Sequence, residues 1–162
     1  MFNKKKKKFE VVSPISGECI PIDQVNDEVF SKKMMGDGFA IKPNGKTNEI
    51  VAPIDGTVVA LPDSKHAVGI KSTLNNIDIL VHIGLDTVAL QGKGFTSEVK
   101  LNERVNEGDP LIKVDFNKMK KSNIDMTTIV IFTDGYKNKK SIDIGSKKNK
   151  IVKSAQPILK QA

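Results

Sequence analysis

Apolar residues fall along this chain in short runs of branched side chains, broken by Pro, Gly, Asn and Asp. Phe9–Val12, Gly17–Ile22, Gly38–Lys42, Glu49–Ala52, Gly56–Leu61, His66–Lys71 and Ile77–Ile83 read as strands. Leu111–Val114, Thr127–Phe132, Ser141–Ile144 and Ala155–Leu159 continue the series, with Pro157 confining the last to an edge. Helical periodicity is weak. Asp27–Lys33 and Phe116–Lys121 suit single turns, the second with Asp115 as its cap. Many short strands with turn signals at regular intervals predict an all-β sandwich or barrel.

Within the strand pattern, Ser13-Pro14-Ile15-Ser16-Gly17-Glu18 resembles Ala52-Pro53-Ile54-Asp55-Gly56-Thr57. In each, proline starts a strand and glycine permits a bend between apolar runs. Two related β-units packed together is one interpretation of this six-position match, and chance is the other. Gly36-Asp37-Gly38 and Gly92-Lys93-Gly94 lack the dinucleotide and P-loop patterns and read as turns.

The stretch Ile77-Asp78-Ile79-Leu80-Val81-His82-Ile83-Gly84-Leu85-Asp86-Thr87 is a buried strand with a histidine near its end. The chain has two histidines, and the other, His66, opens the preceding strand. Between the strands, Ser72 to Asn76 suits a turn. With the turn centred on Leu74, His66 pairs directly with His82 and Val68 with Leu80. That register predicts two imidazoles on one face, with Cβ atoms roughly 4.5–5.5 Å apart. A slip of one residue would send them to opposite faces.

At 162 residues the chain is long enough to bury a real core, and it reads as one domain from residue 9 to 162 behind a solvated lysine-rich tail, 1–8. The single cysteine, Cys19, excludes an intramolecular disulfide, fits a reducing compartment and reads as a small buried hydrophobe. No apolar run approaches the about 18 residues of a membrane span, and no signal-peptide core follows the basic start. A soluble cytoplasmic protein is expected.

The net charge of +7 raises nucleic acid as a partner. Arg104 is the one arginine, there is no tryptophan, and the positive charge is lysine spread along the chain. Base readout leans on arginine and single-strand binding on aromatic platforms, so the composition argues against that class.

Three chemistries compete for the histidine pair, beside the bland reading of two ordinary histidines. A zinc hydrolase needs about three protein ligands; Asp86 or Asp78 would complete the set, but no HExxH or His-x-His occurs. A nucleophilic triad needs Ser or Cys beside a base, and neither Cys19 nor any serine sits in a glycine-framed elbow. Ser64, two residues before His66, reads instead as an orienting group. Covalent phosphoryl transfer through an imidazole nitrogen needs no metal. One neutral ring attacks and the second donates a hydrogen bond to phosphate oxygens.

Val81-His82-Ile83-Gly84-Leu85-Asp86-Thr87-Val88, followed by Gly92-Lys93-Gly94-Phe95, resembles the phosphorylated-histidine signature of the glucose-type enzyme IIA of the bacterial sugar phosphotransferase system. Gly36 to Pro43, Val51 to Val58 and Ser64-Lys65-His66-Ala67 resemble that family's other blocks. The resemblance runs from about Phe9 to the C-terminus and implies an antiparallel β-sandwich with few short helices. It implies that His82 accepts phosphoryl from the histidine-containing phosphocarrier protein and passes it to a cysteine on the IIB domain of a sugar permease. His66 matches the second active-site histidine, and Ser64 the hydroxyl that orients it, usually a threonine. Asp27 and Asp86 fall where the family has acids around an apolar docking depression, with Val29, Phe30 and Val88 as its walls. Glu28 stands where an apolar residue is typical and Pro62 where an aromatic is. The resemblance implies no cofactor and no resident metal. In some bacteria such proteins, when unphosphorylated, also bind and regulate other uptake systems. The alternative from another class is a biotinyl- or lipoyl-like carrier module, suggested by Ala52–Val58 and Glu107-Gly108-Asp109-Pro110-Leu111. No lysine here has the hairpin-tip setting such a module needs.

Overall fold

The computed structural model describes residues 9–72, 76–134 and 142–160. The lysine-rich tail and the Leu74 turn centre lie outside the described residues. In chain order the strands are β1 (Glu10–Val12), β2 (Gly17–Pro21), β3 (Asp37–Pro43), β4 (Glu49–Val51), β5 (Gly56–Ala60), β6 (Ala67–Lys71), β7 (Asp78–Ile83) and β8 (Phe95–Ser97). Then follow β9 (Arg104–Val105), β10 (Pro110–Val114), β11 (Thr128–Asp134), β12 (Lys150–Val152) and β13 (Pro157–Lys160). The helices are α1 (Glu28–Ser31) and α2 (Phe116–Lys121), each with an aspartate cap: Asp27 accepts from the Val29 N–H and Asp115 from the Lys118 N–H. The fold is an antiparallel β-sandwich. An eight-stranded sheet, in the order β12-β2-β3-β11-β7-β6-β5-β9, is covered by the three-stranded β4-β10-β8 and the two-stranded β1-β13.

Alternation along the central strands builds two apolar layers, because successive side chains point to opposite faces. From β7, Ile79, Val81 and Ile83 join the main core between the sheets, as do Val130 and Phe132 from β11 and Phe39 and Ile41 from β3. The opposite face carries Ile129 and Ile131 of β11, Ala40 of β3 and Ile20 of β2. Ile22, Val25 and Phe30, from the connection between β2 and β3, close over that second layer, and Leu80 packs against it. His82 lies on the second face, two residues beyond Leu80.

The internal repeat is real in three dimensions and extends further than its sequence match. The Val51 N–H donates to the Pro14 carbonyl and the Val12 N–H to the Pro53 carbonyl, both at 2.9 Å. A second pair of segments follows the same symmetry: Val105 to Leu111 and Val152 to Ile158. Gly108 N–H donates to Ala52 O at 2.8 Å, and its counterpart Ala155 N–H to Ser13 O at 2.9 Å. Asp109 Oδ2 accepts from Asn106 N–H where Gln156 Oε1 accepts from Lys153 N–H. Asp55 accepts from Glu107 N–H where Ser16 accepts from Ser154 N–H. The strand order of the large sheet has the same symmetry, with Val81 paired to Val130 at its centre.

Ser141–Ile144 departs from expectation. Ser141 lies outside the described residues, and 142–144 form no strand. A side-chain bond holds the segment instead, Ile142 N–H to Asp37 Oδ2 at 2.8 Å, and Ile144 is buried as an anchor. The apolar alternation there reflects that anchoring. Cys19 is free and buried, and burial pushes its thiol up to about 12, against a smaller opposite pull from Lys147.

Candidate active site

The hairpin register differs by one residue from the sequence expectation. Ala67 stands opposite His82, Val68 opposite Val81 and Gly69 opposite Leu80. His66 precedes the first residue of β6, follows Lys65 in the left-handed region (φ 55), and accepts the Ile83 N–H at its carbonyl, 2.7 Å away. Because regular strand geometry ends there, the one-residue slip does not separate the rings. The imidazoles of His66 and His82 meet edge to face with centroids 5.2 Å apart. Across the sheet, His82 stands between Ala67 of β6 and Ile129 of β11.

His82 is held from three directions. Phe30 lies tilted over its ring at 4.8 Å between centroids, and His66 meets its edge. Its Nδ1 lies 2.9 Å from the Gly84 carbonyl oxygen. A carbonyl can only accept, so Nδ1 carries the proton and the Nε2 lone pair is free. Gly84 has φ 77, a conformation that favours glycine. Burial, then the neighbouring His66, pushes the His82 pKa down, while the Gly84 carbonyl, Asp27 and Asp86 pull weakly upward. Burial also lowers His66. Both rings are therefore neutral near pH 7.

Ser64 Oγ lies 2.5 Å from Nδ1 of His66, within hydrogen-bond reach. A hydroxyl donating there leaves Nε2–H of His66 as a free donor. Asp27, the half-buried α1 cap, and Asp86, exposed with φ 57, both lie close enough to act on His82. Val29 and Val88 are exposed at 42% and 57%. Phe30 differs: it is buried at 6% and serves as packing over His82. Sequence reasoning missed the carbonyl of Gly84, since a backbone oxygen leaves no sequence signal.

Two neutral rings, one with a free lone pair and the other presenting Nε2–H when the Ser64 hydroxyl donates to its Nδ1, suit nucleophilic attack on phosphorus with donation to its oxygens. Among the described residues, no group of three His, Cys, Asp or Glu side chains is placed to hold a metal ion. No helix among them is long and apolar enough to cross a membrane.

Residues 9–138 match the family model for the phosphoenolpyruvate-dependent sugar phosphotransferase system, EIIA 1. A glucose-specific EIIA component from Oceanobacillus iheyensis is 44% identical over 141 residues, 85% of this chain and 83% of that protein. A glucoside-specific EIICBA component from Staphylococcus carnosus is 47% identical over 124 residues, 76% of this chain but only 18% of that much longer protein. The solved structure of glucose permease IIA from Mycoplasma capricolum superposes with a TM-score of 0.81 at 39% identity, over 98% of this chain and 97% of that one. Sequence, fold and paired neutral histidines agree: this chain belongs to the EIIA 1 family of the phosphoenolpyruvate-dependent sugar phosphotransferase system.

Proposed function

We propose that the protein is a phosphoryl carrier of the sugar phosphotransferase system, with His82 as the acceptor. The observation that carries this reading is the Nδ1 bond of His82 to Gly84, which leaves Nε2 unprotonated and open beside a second neutral histidine. The Nε2 lone pair forms a bond to phosphorus as phosphorus leaves a ring nitrogen of the phosphocarrier protein, and the released pair returns to that donor ring. Positive charge then develops on the Nδ1–H side of His82, where the Gly84 carbonyl, Asp27 and Asp86 stabilise it. His66, its Nδ1 held by Ser64, donates Nε2–H to the transferring oxygens.

In the second half-reaction, a thiolate of a permease IIB domain takes the phosphoryl group and the pair returns to Nε2. The EIICBA relatives, in which an EIIA component is part of a longer chain, support a IIB partner. Val29, Phe30 and Val88 form or back the docking wall, with Asp27 and Asp86 at its rim, and the protein works in the cytoplasm.

The test is incubation with phosphoenolpyruvate and the general phosphotransferase proteins. One acid-labile phosphoryl group should appear per chain and disappear on adding a IIB domain. A chain that gains none under conditions that label an authentic EIIA would contradict the reading.

A further inference from the structure

Gly84 sits between two peptide groups, and each is held at both ends. In the Ile83–Gly84 peptide, the carbonyl accepts from the Thr87 hydroxyl at 2.6 Å, and the N–H donates to Thr127 O at 3.1 Å. In the Gly84–Leu85 peptide, the N–H of Leu85 donates to Asp125 O at 2.8 Å, and the carbonyl takes His82 Nδ1–H at 2.9 Å. A peptide group is planar, so anchoring the Leu85 N–H sets the plane in which the Gly84 carbonyl points.

The two carbonyls that receive these N–H groups belong to one turn, before β11 and distant in sequence from the hairpin. Asp125 ties that turn together: its Oδ1 accepts from both the N–H and the hydroxyl of Thr127, at 2.9 and 2.6 Å. Thr87 is fully buried and Thr127 nearly so. The fit around Gly84 is close. A Cβ there would come within 2.6 Å of Thr87 Cγ2, 2.9 Å of Met126 Sδ and 3.2 Å of Asp125 O.

We infer that Thr87 and Asp125 are positioning residues for His82: through the clamped Gly84 peptides they hold its ring in the Nδ1–H tautomer with Nε2 aimed outward. This rests on the reading of His82 as phosphoryl acceptor. Neither side chain touches the reacting atoms. If the ring turned or the proton moved to Nε2, the nucleophilic lone pair would be lost, although the fold would persist. A purely structural role for the same two residues would lower stability without changing the tautomer.

The experiment records imidazole ¹⁵N spectra of the unphosphorylated full chain, with melting curves and acceptance rates from the phosphorylated phosphocarrier protein. The variants are Thr87→Val and Asp125→Ala, each beside its conservative partner, Thr87→Ser and Asp125→Asn. The parent should show Nδ1–H on His82. Thr87→Val and Asp125→Ala should show a mixed tautomer and accept about 10–100-fold more slowly, the range seen when partners that orient liganding histidines are lost. Thr87→Ser and Asp125→Asn keep the bonding atoms and should recover most of both signals. A variant that fails to melt cooperatively is replaced by Thr127→Val, which deletes one hydroxyl bond of the same turn and should shift the tautomer in the same direction. Folded Thr87→Val and Asp125→Ala proteins with the parent tautomer and rate would overturn the inference. Labelling of the parent at a residue other than His82 would overturn the functional reading instead, and the tautomer result would still stand by itself.

Discussion

Nδ1 of His82 lies 2.9 Å from the carbonyl oxygen of Gly84, two residues along the chain. The bond divides the labour of the ring: one nitrogen is occupied by the backbone and the other is left with its lone pair. It also ties the chemistry to the left-handed turn that ends β7, since the carbonyl reaches back only because Gly84 takes φ 77.

The lowered pKa values of both histidines set the pH response. Neutral His82 is the reactive form, and burial and His66 hold its pKa below the ordinary value. Phosphoryl acceptance should be undiminished at mildly alkaline pH, with its half-loss displaced below the about 6.5 of an ordinary histidine. The stability effect has the same sign. The unfolded ring binds a proton at about 6.5 and the folded ring only below that, so this stabilisation is complete above about 6.5. It is lost as pH falls through the lowered folded value. Acceptance rates and denaturant midpoints across that range, for the parent and His82→Ala, check both statements; the variant should lose the histidine component of the stability slope.

His66 should matter to transfer more than to binding. Its Nε2–H is free only while Ser64 occupies Nδ1, at 2.5 Å. One preorganised donor to a developing oxyanion is typically worth about 10²–10³ in rate. His66→Gln should still accept phosphoryl on His82 but pass it to the IIB cysteine slower by about that factor. Ser64→Ala should show a smaller loss in the same step. Single-turnover transfer from purified phosphoprotein measures it, and equal onward rates would make the second histidine a bystander.

Much of this site is legible in the sequence, in ways that have physical causes. The run Ile79-Leu80-Val81-His82-Ile83 reads as a buried strand with His82 on the same face as Leu80, because a strand's side chains alternate with a period of two. The register is harder. A turn of several polar residues has no unique centre, so Ala67 rather than His66 took the place opposite His82. The rings still meet because β6 begins only at Ala67. Phe95–Ser97, Arg104–Val105 and Lys150–Val152 escape detection as strands since two or three residues, several of them polar, show no period. The second repeat pair shares little beyond valine and proline at matching positions, and its likeness lies in backbone bonds.

That hidden pair makes a stability prediction. Gly108 has φ 89, and its counterpart Ala155 has φ 66 with a Cβ to accommodate. A left-handed conformation costs an L-residue roughly 1–2 kcal/mol, while glycine loses about 0.5–1 kcal/mol more chain entropy on folding. Ala155→Gly should therefore stabilise the protein by about 0.5–1 kcal/mol, and Gly108→Ala should destabilise it by a similar amount. The space near Gly108 is not limiting, since a Cβ there would meet Ala155 Cβ at an ordinary 3.6 Å. Denaturant unfolding of the two variants should move the midpoint in opposite directions.

Asp27 and Asp86 flank His82 on a chain whose net charge is +7, so they mark a local exception. In partner docking they should act on association rate and salt sensitivity. Asp27 also caps α1, and asparagine caps nearly as well as aspartate, so Asp27→Asn removes charge without removing the helix. The double variant Asp27→Asn, Asp86→Asn should accept phosphoryl several-fold more slowly at low salt, on the order of what rim charges contribute, and converge with the parent at high salt. Identical salt profiles would assign both acids to the fold alone.

The most direct measurement identifies the atom that carries the phosphoryl group. Correlated ³¹P and ¹⁵N spectra of the protein labelled from phosphoenolpyruvate, with His82→Ala as the control, resolve which ring and which nitrogen is bonded to phosphorus. The expected result is a single phosphoryl group on Nε2 of His82 and none in the variant. A phosphoryl group on Nδ1, on His66, or persisting in full in His82→Ala would contradict the account.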